Sequence, residues 1–180
     1  MKKLFKDQNF NLKITISIII LASLICGFLG FIMETLVYYF KEGYLVKRGY
    51  TFGPIVPIYT YGALLIIFTT YRIKDKPWLV FIINVFLTGL LEYITGYVLI
   101  NIFHTSLWDY HNEFLNIDGL VCFKSVMTFG VGSLLLIYVI LPLLFKISNK
   151  LSEKKLYIIS YGLGIIYLLD MLLYWAFKLW

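Results

Sequence analysis

Long stretches with very little charge dominate this chain. Five runs, near residues 14–40, 55–71, 78–103, 125–145 and 156–177, are mostly apolar. A membrane-crossing helix needs about 20 such residues. Of the 180 residues, 61% are hydrophobic and 14% charged, against roughly 45–50% and roughly 25% in soluble domains. A water-soluble fold of this size cannot hide that much apolar surface, so lipid is the expected solvent. The predicted fold is an all-α integral membrane protein. It has a single membrane domain over 1–180, a bundle of about five transmembrane helices. The first and third runs are long enough to tilt or to project beyond the hydrocarbon.

The net charge of +6 does not point to nucleic acid, because the cations sit in short tracts between apolar runs. Lys2, Lys3, Lys6, Lys13, Arg72, Lys74, Lys76, Lys146, Lys150, Lys154 and Lys155 fall on one side of the predicted membrane. Lys41, Lys47, Arg48, Lys124 and Lys178 fall on the other. Positive residues stay inside, which predicts a bacterial plasma-membrane protein with a cytoplasmic N-terminus and an outer C-terminus. Trp78 and Trp180 suit the two interfaces. The "MKKLFK" opening resembles a signal peptide, but its apolar run is too long for one, so it reads as a retained helix. Cys26 and Cys122 have no metal or redox spacing and read as two unpaired residues.

Three acids lie inside the runs: Glu34, Glu92 and Asp170. A free charge at mid-membrane costs about 2.5–3.5 kcal/mol on insertion scales, so each should face protein or water. Spacing agrees. Ser23, Gly27, Gly30, Glu34 and Tyr38 share one helical face, as do Asn84, Thr88, Glu92, Thr95 and Gly96. Small and hydroxyl residues on such faces let helices approach and bond. Glu34 and Glu92 are therefore either structural, paired with Lys47, Arg48 or Lys124, or lining for a polar cavity. Asp170, with Gly164, Tyr167 and Tyr174 on its face, reads as the partner of another group.

The expected orientation puts two rich loops outside. "RGYTFGPIVPIYTYGALL" runs from Arg48 to Leu65, and "HTSLWDYHNEFLNIDGLVCFK" from His104 to Lys124. Gly49 and Gly53 permit backbone conformations other residues resist. Pro54 and Pro57 suit a helix start, and Pro57 also a kink. Such a loop can turn back into the bilayer only if protein or water satisfies its backbone. Arg48 suits a carboxylate or a phosphate. Asp109 suits a cation, a pairing with Arg48, or a local turn. His104 and His111 lack ligand spacing, so no metal is expected. The segments 28–40 and 86–98 align with Glu34 on Glu92, which suggests two parallel helix–loop–helix repeats plus a fifth helix. In that arrangement both acids and both loops meet around one axis, in a cavity open to the outer face.

Glu34, "RGYTFGPIVPIYTYGAL", "LLEYITGY" from Leu90, "WDY" at Trp108 to Tyr110 and "NIDGLVCF" from Asn116 together resemble a family of bacterial membrane proteins. Its label is "putative ABC-transporter type IV" permeases. The likeness runs from Gly27 to about Leu143. The family pattern carries an arginine where Leu120 stands here, and an acid near Ile100. The resemblance implies a transport subunit working with a separate ATPase. No phosphate-binding G-x-x-x-x-G-K-[ST] loop occurs in the chain itself, and no cofactor is expected.

The expected function is a permease-like subunit. Its cavity would be lined by Glu34, Arg48, Tyr59, Glu92, Trp108, Asp109 and Tyr110, and its loops shaped by Gly49, Gly53, Pro54, Pro57 and Gly119. Two alternatives stand beside it. One is a membrane enzyme acting on a lipid or lipid-linked substrate at the outer leaflet. The other is a non-catalytic partner or assembly protein. The bilayer is the first partner, and a homo-oligomer is compatible with all three.

Overall fold

The computed structural model describes Phe5 and residues 11–179, so Lys2, Lys3, Lys6 and Trp180 lie outside the described residues. Helix α1 covers Leu12–Glu42. The Asn11 side chain caps its first turn and Gly43, at φ 81°, ends it in the left-handed conformation. Helix α2 covers Pro57–Thr70 and tightens into a 3-10 turn at Tyr71–Ile73. Helix α3 covers Pro77–Asn101. Helix α4, Phe123–Leu135, starts with a reciprocal cap between Cys122 and Ser125. It continues through a π-helical turn, Leu136–Ile140, into α5, Leu141–Ser148. Helix α6 covers Glu153–Leu179. Among the described residues there is no strand, only one isolated bridge between Ile117 and Val121.

The wide turn has a local cause. A proline ring clashes with the carbonyl four residues before it. Pro142 stands two residues after this turn, so that carbonyl is the one of Tyr138 within it. Widening the turn moves that carbonyl aside.

Four helices are long and apolar enough to cross a membrane: Leu12–Glu42, Pro77–Asn101, Phe123–Ser148 and Glu153–Lys178. Their large apolar side chains point outward, Phe40, Phe86 and Ile166 among them, while Ser17, Asn84, Thr88, Ser133 and Ser160 are buried. Polar contacts inside and oil outside is the pattern of helices packed in lipid. The chain is a multi-pass membrane protein.

The expected second span is the short one. Helix α2 has 14 residues, about 21 Å at 1.5 Å per residue, well under a bilayer core of about 30 Å. The reason lies in the loop before it. The Val56 amide donates to the Gly27 carbonyl at 3.1 Å, and Gly27 is the midpoint of α1. Segment 43–56 thus runs back along the C-terminal half of α1, and α2 starts half way down it. Pro57 is the first residue of α2 and starts the helix without kinking it.

The chain divides into two compact units, Met1–Leu64 with Ile140–Trp180, and Leu65–Val139. In the first, α1 packs on α6 and α5. A β-carbon at Gly27 would overlap Thr60 and Ile55, one at Gly30 would enter the Tyr59 ring, and one at Gly164 would crowd Ile20. In the second, α3 packs on α4, with Gly89 against Val126, and Gly130 against Phe81 and Val85. The first unit holds the helix of Glu34 and the loop that follows it, and the second the helix of Glu92 and its following loop.

Candidate functional site: two loop-capped glutamates

In the first unit, Glu34 sits in the C-terminal half of α1. Arg48 returns from the loop to pair with it, Nε to Oε2 at 3.4 Å, with side-chain exposures of 28% and 24%. Tyr59, at the start of α2, also bonds to Glu34, and its ring uses the space that Gly30 leaves. The Arg48 guanidinium lies 5.0 Å from the Tyr38 ring, a cation–π distance. Glu34, Arg48 and Tyr59 were all expected at the site, and the structure brings them together.

The segment that delivers Arg48 has its backbone held at Phe52, Gly53 and Ile55. Thr51 Oγ1 is within bonding distance of the carbonyls of Gly53 and Ile55, at 2.9 and 2.7 Å. Lys47 donates to the Phe52 carbonyl at 2.6 Å. The amides of Phe52 and Gly53 both donate to Asp170, at 2.8 and 2.9 Å. So a carboxylate on α6 satisfies the re-entrant backbone, which meets the condition that non-helical chain at membrane depth requires. Asp170 reads from the sequence as the partner of another group, and its partners are these two backbone amides. Gly49, at φ 86°, needs its glycine for conformation. Gly53 does not, since its φ is not positive. Its glycine leaves room for the carboxylate, because a β-carbon would stand 3.1 Å from Asp170 Oδ2. Pro54 lies exposed in the loop, three residues before the helix start.

In the second unit, Glu92 is 3% exposed on the inward face of α3. The Tyr110 hydroxyl reaches it from the loop, donating to Oε1 at 3.0 Å. Trp108 Nε1 donates to the Leu120 carbonyl at 2.7 Å, and both residues pack over Gly96. Leu120 is buried, so the position where the family pattern has arginine here fills an apolar contact. The Tyr110 amide donates to the Gly119 carbonyl at 2.9 Å. Gly119, at φ 67°, lies under the His111 ring, where no β-carbon would fit.

Asp109 serves its own turn. Its Oδ1 accepts from the His111 amide at 2.9 Å and faces His111 Nδ1. The His111 amide, then its ring, hold the Asp109 carboxyl below the usual range. Two contacts here were not anticipated. Tyr93 on α3 donates to Asp118 at 2.7 Å, and Asn84 bonds to Thr70 at 3.0 Å. Only the four-residue spacing of Asn84 with Thr88 and Glu92 hinted at the second. His104, Leu115 and Asp118 all take positive φ. Backbone strain of this kind persists only when surroundings impose it, and it gathers at functional sites.

Four helices able to cross a membrane, with two acids each met by a following loop, define a polytopic membrane protein. The chain belongs to the family described as "Putative ABC-transporter type IV", whose model matches residues 21–174. No curated protein and no solved structure matches it.

Proposed function

We propose that the protein is a permease-like transport subunit, with an acid-bearing polar site in each unit and a separate ATPase as its source of energy. One observation carries this. Each membrane glutamate is met by a side chain from the loop that follows its helix: Arg48 for Glu34 and Tyr110 for Glu92. Ionisable residues inside spans are costly and mark solute or ion pathways. Family membership supports the same reading. The loops face outward and the N-terminus lies in the cytoplasm, in keeping with the cation distribution. The connections on the cytoplasmic side, residues 74–76 and 149–152, are short, so an ATPase docks on helix ends.

Purification of the tagged protein from membranes tests this. A P-loop ATPase should co-purify. Its ATP hydrolysis in proteoliposomes should rise with the wild-type protein and fall about tenfold with Glu92→Gln. Hydrolysis indifferent to both glutamates overturns the reading.

The Asp109–His111 pair favours a second one. A histidine ring oriented through Nδ1 by a carboxylate is suited to acid–base chemistry at its other nitrogen. This points to a membrane enzyme acting on a lipid at the outer leaflet. Lipid turnover by the purified protein without an ATPase, lost in His111→Ala, would establish it. Wild-type behaviour of Glu34→Gln, Glu92→Gln and Arg48→Ala alike leaves a non-catalytic membrane partner.

A further inference from the structure

Asn84 is fully buried one third of the way along α3. Its amide nitrogen donates to Thr70 Oγ1 at 3.0 Å and to the Val80 carbonyl at 2.9 Å. Its Oδ1 has no hydrogen-bond partner among the described residues. Flipping the amide gives no relief, because the Val80 carbonyl only accepts and must face the nitrogen. Buried oxygens of this kind are ordinarily satisfied by internal water.

Thr88 and Glu92 continue the same face at four-residue steps, at 1% and 3% exposure. The Thr88 hydroxyl gives its proton to the Asn84 carbonyl, leaving its lone pairs to accept. Side chains four apart on a helix have β-carbons about 5–6 Å apart. One water making two hydrogen bonds of about 2.8 Å spans that distance. From Asn84 to Glu92 the helix rises about 12 Å, so two waters complete the line. Its outer end is Tyr110, bonded to Glu92. Its inner end is Thr70, bonded to the Ile66 carbonyl.

We propose that this face of α3 holds a file of internal water from Asn84 past Thr88 to Glu92, through which the Glu92 carboxyl exchanges its proton. Hydration of Asn84 stands on its own. Proton exchange matters to transport only if Glu92 works as an ionisable group, as proposed above.

Solid-state NMR of the Asn-labelled protein in lipid bilayers tests the water directly. Magnetisation from water should reach the Asn84 side chain as quickly as that of exposed Asn101, with the peak assigned by its loss in Asn84→Asp. Transfer no faster than to the buried Val80 amide overturns the proposal. Thr88→Val, which keeps the shape, should slow the transfer to Asn84; an unchanged rate removes the file. Deuterium exchange of the Glu92 carboxyl, read by infrared absorption and assigned with Glu92→Gln, should slow in Thr88→Val. An unchanged exchange rate removes the proton route. A dry Asn84 alongside Glu92-dependent ATP hydrolysis sinks only this proposal. A wet Asn84 alongside indifference to Glu92→Gln sinks only the transport reading.

Discussion

The two loops solve one problem by different means. Each covers the C-terminal half of a helix that carries a buried or half-buried glutamate. Segment 43–56 has internal bonds from Lys47 and Thr51 but is also clamped from outside, by Asp170 on another helix. Segment 102–122 is fixed mainly from within, through Trp108 to Leu120 and Tyr110 to Gly119. The acids differ in the same sense. Glu34 keeps a quarter of its side chain exposed and meets a permanent cation. Glu92 is buried and meets a hydroxyl. A guanidinium partner favours a carboxylate that stays charged. A hydroxyl can serve a carboxyl in either protonation state, since it both donates and accepts. The comparison teaches that one acid meets a permanent cation at a partly open position and the other meets a hydroxyl at a closed one.

The largest effect should come from the external clamp. Asp170→Ala leaves two loop amides without their carboxylate, and charge-assisted bonds are worth about 1.5–3 kcal/mol each. Thermal unfolding in detergent should show a loss of about 3 kcal/mol, with proteolysis appearing around 47–53. Asp170→Asn, which keeps one acceptor oxygen, should lie between. A wild-type melting curve for Asp170→Ala would erase the contrast between the loops. Next comes Gly119→Ala, which combines positive φ with overlap of the His111 ring. It should cost about 1–3 kcal/mol in the same assay.

The partners come third. Tyr110→Phe should lose about 1 kcal/mol, independent of salt. Arg48→Ala should lose at most about 1 kcal/mol, because the pair is partly exposed, and the loss should shrink as salt rises. Equal salt dependence for both would remove the distinction between the acids. The smallest effect is at Asp109. Its folded pKa lies below the usual carboxylate value, so its contribution is fully present above about pH 4 and is lost as pH falls through the folded value. Asp109→Asn should therefore lower stability by a small constant amount from about pH 5 to 8 and flatten its fall at the acid end.

The helices could be read from the sequence because their cause is local: apolar length sets where a span sits. The face of Glu92 followed from spacing for the same reason. Arg48 as the partner of Glu34 was one of three candidates, since a cation in a loop can reach several acids. The shortness of α2 could not be read, because its start is set by a hydrogen bond from Val56 to a carbonyl 29 positions earlier. The role of Asp170 was hidden likewise. Its partners are backbone amides, which leave no mark on residue identity, and the bond joins positions 118 apart. Gly53 gave a clue that pointed to the wrong reason, since a glycine signals missing bulk and unusual torsion alike.

That long reach has a consequence for how the chain is made. A ribosome delivers Phe52 and Gly53 long before it delivers Asp170, so the early segment waits, half inserted, for the last helix. Completion of the first loop thus waits for helix α6 in biogenesis. A nascent chain halted before residue 170 would expose that loop to surveillance proteases, however well its first helices had entered the bilayer.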